Sequence, residues 1–216
     1  MTAYSVGIDI GGTFTDIVCA GSDGSFRLMK LPTTRSDPAA AVRAAVETMQ
    51  AEWGVAPAEI ARFVHGSTVA TNAVIERKGA RIGLITTAGF KDVLEIGRQM
   101  RHAMYDLVLS PETPVFLAPG ARRKEVTERI SAAGDIVVPL AEDEVRARAA
   151  ELVADGAEAV AIVFLFSFLN PAHERRARDI VADGFPELMV SLSCEVDPAF
   201  REYERTAVTA FDAYIK

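Results

Sequence analysis

Apolar and polar positions alternate along the first thirty residues and then change period. Tyr4–Ile10, Phe14–Ala20 and Phe26–Leu31 read as three strands, divided by Gly11-Gly12 and by Gly21-Ser22-Asp23-Gly24. Connections this short make an antiparallel meander. A helix follows from Asp37, with Pro38 in its first position. Val42, Ala45, Val46, Met49 and Trp53 form its apolar stripe, and Gly54 stops it. Arg62–Val64 is a short strand, Thr68–Lys78 a helix and Ile82–Thr86 another strand.

The pattern then blurs. Phe90–Gly97 reads as helical, and Arg101–Arg122, with Pro111, Pro114 and Pro119, has little period. Stretches of that kind often carry function or an interface. Glu125–Ile130 and Ile136–Pro139 suggest a hairpin around Ala132-Ala133-Gly134-Asp135. Regular alternation returns with a helix over Glu142–Asp155 capped by Gly156. Ala159–Phe166 is almost wholly apolar, as in a strand buried on both faces. Asn170-Pro171 opens a helix that Gly184 ends, Leu188–Cys194 is a strand, and Asp197-Pro198 opens a last helix. That helix keeps its apolar period to Lys216 without a cap, which is the pattern expected of a truncated product. The fold class is α/β: a mixed sheet that begins as a three-strand antiparallel meander and continues in α/β alternation.

The first turn carries the candidate chemistry. An apolar strand ends in Asp9-Ile10, the chain turns at Gly11-Gly12-Thr13, and a second strand leaves through Phe14-Thr15-Asp16. Glycines let backbone approach a ligand closely and reach conformations closed to other residues. Turn amides can converge on an anion, and Thr13 and Thr15 add hydroxyl donors. Asp9 would repel phosphate, so its use is to hold Mg²⁺ through the ion's water shell. A plain Gly-Gly hairpin explains the glycines. It does not explain a carboxylate inside an apolar strand, where an unpaired charge is costly. Phosphoryl transfer is therefore the leading expectation. The G-x-x-x-x-G-K-[ST] and G-x-G-x-x-G phosphate motifs are absent from the sequence.

Composition narrows the class. The 216 residues are half hydrophobic, enough for one large domain or two small ones. A net charge of −7 argues against a nucleic-acid or anionic-membrane surface. Two cysteines, Cys19 and Cys194, fit small buried hydrophobes rather than a disulfide framework. No signal peptide or bilayer-length apolar run stands out, so a reducing cytoplasm is the expected compartment. The three histidines, at 65, 102 and 173, offer no metal-ligand spacing.

Four blocks together resemble one family. They are Asp9-Ile10-Gly11-Gly12-Thr13-Phe14-Thr15-Asp16; His65-Gly66-Ser67-Thr68-Val69-Ala70-Thr71-Asn72-Ala73 through Glu76-Arg77-Lys78-Gly79; Gly89-Phe90 with Asp92-Val93-Leu94-Glu95-Ile96-Gly97-Arg98-Gln99; and Leu169-Asn170-Pro171-Ala172-His173-Glu174 followed by Phe200-Arg201-Glu202-Tyr203-Glu204-Arg205-Thr206. In this order they resemble the N-terminal part of the A-type members of the hydantoinase/oxoprolinase family. The resemblance implies an actin-like, ribonuclease H-like ATPase fold. It also implies ATP-dependent phosphorylation of a carbonyl oxygen. In a cyclic amide such as a hydantoin or 5-oxoproline this opens the ring. In a ketone it yields an enol phosphate ready for carboxylation.

Carried over by position, Asp9 would serve Mg²⁺, and Gly11, Gly12, Thr13, Phe14 and Thr15 would hold ATP. The resemblance makes 1–198 the first nucleotide-binding half, with an irregular insertion at about 98–140, and 199–216 the opening helix of a second domain. It implies a C-terminal half carrying the rest of the ATP site, and a B-type partner subunit. The family often has His where this chain has Phe166, Pro where it has His102, and an acidic residue where it has Ala141, which weakens a helix cap here.

Other residues keep two readings. His65 ends a strand, where active-site groups gather; it either relays a proton or packs under the next helix. Thr68 and Asn72 either contact substrate or open and cap that helix. Arg98 and Arg101 either clamp an anionic substrate or are solvated surface arginines. Tyr105 and Asp106 are candidates to face a partner, and His173 reads as structural or exposed. The chain reads as the N-terminal portion of an ATP-dependent cyclic-amide hydrolase; the rivals are a ketone carboxylase component, a small-molecule kinase with a stable phosphorylated product, and a fragment that acts alone only as a binding module.

Overall fold

A computed structural model describes residues 2–34, 37–100, 105, 107–108 and 117–216. Expectations placed on Arg101, His102, Asp106, Pro111 and Pro114 lie outside the described residues. The chain forms two compact units, 1–76 and 77–216.

The first unit is built on four strands: β1 (Tyr4–Ile10), β2 (Phe14–Gly21), β3 (Phe26–Pro32) and β4 (Ile60–Ser67). Their order is β3-β2-β1-β4, antiparallel across the meander and parallel between β1 and β4. Helix α1 (Pro38–Trp53) covers one face. Asp37 caps it through its carboxylate on the Ala40 amide, and Gly54 closes it in the left-handed conformation at φ 67°. Alternation in β1 sends Val6, Ile8 and Ile10 inward against Ala45 and Met49 of α1, with Ile17 and Cys19 from β2. Helix α2 (Val69–Glu76) follows β4. The short strand expected at Arg62–Val64 runs the full length of β1, because parallel pairing with β1 extends from Tyr4 to Ile10.

The second unit has a parallel sheet of β5 (Ile82–Thr87), β6 (Arg123–Val126), β9 (Ala159–Val163) and β10 (Met189–Leu192), in the order β10-β9-β5-β6. Strands β7 (Arg129–Ile130) and β8 (Ile136–Val138) make a separate hairpin. The run expected as one strand over Glu125–Ile130 thus divides between the sheet and the hairpin. Of its helices, α3 (Val93–Ile96) is one short turn, α4 (Glu142–Ala154) and α5 (Ala172–Gly184) pack together, α6 (Ser193–Val196) follows β10, and α7 (Glu202–Ile215) lies on β9 and β10. Val145, Ala149 and Leu152 of α4 and Ala177, Ile180 and Val181 of α5 meet Ile85, Val160 and Ile162 in one core. All of β9 is buried, as its unbroken apolar run predicts. Ala141 stands at the N-cap of α4 without a side-chain cap.

Three boundaries differ from those expected from the sequence. The strand expected to Phe166 stops at Val163, because the Phe164 and Leu165 amides turn aside to the Glu174 carboxylate and the Thr87 hydroxyl at 2.8 and 2.9 Å. The strand expected to Cys194 stops at Leu192, because the Cys194 amide also reaches Glu174, at 2.8 Å. The last helix begins at Glu202 rather than Pro198, since Asp197 ends α6 and the chain turns there first.

Candidate phosphate site

The glycine turn joins β1 to β2 through Gly11-Gly12-Thr13, and the Gly11 amide closes it by donating to the Phe14 carbonyl at 3.0 Å. That amide is therefore used inside the hairpin. Neither Gly11 nor Gly12 adopts a positive φ, so conformational freedom is not what requires them. Close approach is. A Cβ on Gly11 would lie 2.8 Å from the Phe14 oxygen, and one on Gly12 would lie 2.9 Å from Asn72 Nδ2. The steric half of the sequence argument applies, and the dihedral half does not.

Asp9 sits on the face of the sheet opposite α1, exposed, because alternation in β1 turns it away from Ile8 and Ile10. It carries no burial cost, which corrects the energetic argument made from the sequence. Among the described residues no hydrogen bond or ion pair holds its carboxylate. Gly66 is its partner across β4, and a Cβ there would lie 3.6 Å from Asp9 Oδ1. On its other side the register places Asp16 directly across from Asp9. Lys30 pairs with Asp16 at 3.1 Å and lies 5.4 Å from the Phe14 ring centroid. Like charges directly opposite on a sheet are destabilising, and here Lys30 offsets the charge of Asp16 while Asp9 keeps no partner among the described residues. Asp16 received no role of its own from the sequence. Its place just past the turn, mirroring Asp9 just before it, was the available signal.

The two threonines separate. Thr13 is exposed at the tip, and its carbonyl accepts from the Thr33 amide at 3.0 Å. Thr15 is fully buried, with its hydroxyl 2.9 Å from that of Thr33. Thr15 ties the hairpin to the strand end beyond it rather than pointing into solvent. Phe14 is half exposed beside Lys30.

From β4, His65 pairs in register with Ile8 and so faces the α1 side, while Asp9 and Gly66 face the other. Asp9 and His65, the candidates for Mg²⁺ binding and proton relay, do not share a face. His65 is exposed. Thr68 donates its amide to the Ile10 carbonyl at 3.1 Å and its hydroxyl to the same oxygen at 3.4 Å. Asn72, one helical turn on, reaches Thr68 Oγ1 at 3.3 Å through Nδ2. The end of β1, the glycine turn and the start of α2 are thus stitched together.

Arg98 belongs to the second unit. Its Nε lies 2.7 Å from Glu204 Oε1, and its guanidinium sits 5.2 Å from the Tyr203 ring centroid. The hydrogen bond from Arg98 holds the Glu204 carboxyl below the ordinary range. An anionic substrate would have to displace that carboxylate. Tyr105 is exposed.

The second unit also holds a buried polar network that sequence reasoning did not assemble. Order β10-β9-β5-β6 makes the carboxyl ends of β5 and β9 a topological switch point, where open α/β sheets usually bind ligands. Here that position is filled by the protein's own groups. Glu174, fully buried, accepts from the Phe164 and Cys194 amides and from Ser193 Oγ at 2.5 Å. Arg205, also fully buried, donates to Ser167 Oγ at 2.6 Å and to the Phe164 carbonyl at 3.0 Å, and lies 5.3 Å from the Phe168 ring centroid. Its Nε has no partner among the described residues, and the residue lines a void of about 10 Å³, room for about one water. His173, buried, meets Glu128 at 2.7 Å, and Glu128 also accepts from Thr87. His173 is therefore structural. The Phe166 position, at φ 58°, sits in the loop these groups clamp.

Comparison with known proteins adds identity. The profile of the hydantoinase/oxoprolinase N-terminal region matches residues 5–184. The chain is 42% identical over 217 residues to an uncharacterized protein of Methanocaldococcus jannaschii, covering 99% of this chain and 31% of that protein. It is 37% identical to the alpha chain of the caprolactamase of Pseudomonas jessenii, covering 98% of this chain and 31% of that protein. The nucleotide-free structure of acetone carboxylase, from work on ATP-dependent acetone carboxylation, superposes with a TM-score of 0.85 at 32% identity, covering 99% of this chain and 32% of that one. The chain thus spans about a third of the length of these relatives. The α/β fold is that of the actin-like, ribonuclease H-like ATPases, and the chain belongs to the hydantoinase/oxoprolinase family, matching its N-terminal region.

Proposed function

We propose that this region supplies the phosphate-gripping hairpin of an ATP-dependent cyclic-amide hydrolase. The observation that carries the reading is Asp9: an unpartnered carboxylate on an open sheet face, beside a turn in which Gly11 is demanded by close approach to backbone. ATP is the phosphoryl donor, and the remaining parts of its site lie in a C-terminal half. Mg²⁺, held by Asp9 through water with Asp16 beside it, would neutralise phosphate charge during transfer.

The turn's own work is positioning. Thr13 offers its hydroxyl to a phosphate oxygen at the tip. Gly11 and Gly12 keep the backbone slim enough for the ligand to approach. Thr15 and Thr33 fix the hairpin from behind, and Thr68 fixes it to α2. In the reaction, the substrate's carbonyl oxygen attacks the γ-phosphorus and ADP leaves. Water adds at the activated carbon and the C–N bond breaks. That leaves an acyl phosphate; a second water adds at its carbon and the original oxygen departs with the phosphate, leaving the ring-opened amino acid. A partner subunit supports this chemistry, as the name of the caprolactamase relative suggests.

The likeness to acetone carboxylase supports a second reading, in which the same first step makes an enol phosphate for carboxylation. The intact protein with its partner subunit separates the two. ADP release on adding a lactam, a hydantoin or 5-oxoproline, with a ring-opened acid as product, is the expected result. ADP release that needs a ketone and bicarbonate, without amide turnover, would replace this reading with the second.

A further inference from the structure

A Cβ on Gly12 would meet one side-chain atom first. The space its Cβ would occupy is 2.9 Å from Asn72 Nδ2. Asn72 is placed there by fastenings at the end of β1. The Thr68 amide and hydroxyl both hold the Ile10 carbonyl, and the Asn72 amide in turn donates to the Thr68 carbonyl at 2.8 Å. The nitrogen of a side-chain amide carries two N–H groups. One goes to Thr68 Oγ1 at 3.3 Å. The other has no protein partner among the described residues, and neither does Oδ1. The side chain is half buried, and this nitrogen lies beside the space a Gly12 Cβ would fill, at the turn.

We propose that Asn72 donates this second N–H to a phosphate oxygen of the nucleotide. It is then a phosphate ligand rather than a substrate ligand, and Gly12 is glycine to admit it. The inference rests on the nucleotide reading above. It explains why a helix that begins beyond β4 is bonded to the residue just before the turn: the bond sets the donor's height over the turn.

The test compares ADP and adenosine binding to the intact protein by calorimetry. Asn72→Ala removes a hydrogen bond to a charged group, so ADP affinity should fall roughly 10- to 100-fold, with adenosine affinity unchanged. Asn72→Asp keeps the shape and points an oxygen anion at the phosphate, so it should weaken ADP more than Asn72→Ala and again spare adenosine. Gly12→Ala should weaken ADP strongly when Asn72 is present and much less in the Asn72→Ala background, where its methyl has room. Equal losses for ADP and adenosine in both Asn72 variants, or no loss in either, would overturn the inference while leaving the nucleotide reading intact. Absence of ADP binding by the unaltered protein would overturn that reading, and this inference with it.

Discussion

Glu174→Ala is expected to loosen the second unit where its strands end. The carboxylate is fully buried and accepts three hydrogen bonds, from the Phe164 and Cys194 amides and Ser193 Oγ. Ser193 has an alternative partner in Ser167, 3.0 Å away. The two amides do not, and a buried N–H left unpaired costs roughly 1–3 kcal/mol. The negative charge that offsets buried Arg205 also disappears; burial already pushes the Arg205 guanidinium below its ordinary pKa. Together these effects come to roughly 3–5 kcal/mol. Amide hydrogen exchange reads this locally. Phe164 and Cys194 should exchange about 100-fold faster or more, since each 1.4 kcal/mol is tenfold. Replacing both members, Glu174→Leu with Arg205→Met, should destabilise less than Glu174→Ala, because no buried charge is stranded. Unchanged protection at Phe164 and Cys194 in Glu174→Ala would refute the reasoning.

Two further outcomes follow from the ionisable groups. Glu204, Glu142 and Glu151 have carboxyl pKa values lowered by hydrogen bonds from Arg98, Arg176 and Lys124. Their stabilisation is therefore complete above the unfolded carboxyl pKa of about 4.3 and is lost as pH falls through the lower folded values. Melting temperature should be flat from neutral pH to about 5 and fall below about 4; a Tm that rises on acidification would contradict the pairing. Burial, aided by Glu174, pushes the Cys194 thiol up to about 12, and burial raises that of Cys19. Both should resist iodoacetamide at about pH 8 in the native protein and react after denaturation; rapid native alkylation would contradict this.

Much of the fold was readable because local rules and tertiary packing agree. The meander, α1 with its Asp37 cap and Gly54 stop, and buried β9 follow from period and capping residues alone. The errors lie where side chains from distant positions capture backbone amides. Nothing local tells Phe164 or Cys194 that Glu174 will take its N–H, so both strands were read too long. The candidate site was legible as a motif but not as a geometry. Asp9 looked costly because its face could not be known, and the place of His65 stayed open because register decides which side each takes. Asp16 and Asn72 needed the β1–β2 register and the Thr68–Ile10 bond before either could be connected to the turn.

The most direct measurement follows the substrate's oxygen. The intact protein, with its partner subunit, is given ATP and a lactam or hydantoin labelled with ¹⁸O at the carbonyl, and the released phosphate is analysed by mass spectrometry. Phosphorylation of that oxygen predicts one ¹⁸O per phosphate in step with ring opening, and loss of both in Asp9→Ala. Ring opening with unlabelled phosphate, or labelled phosphate undiminished in Asp9→Ala, would contradict the account.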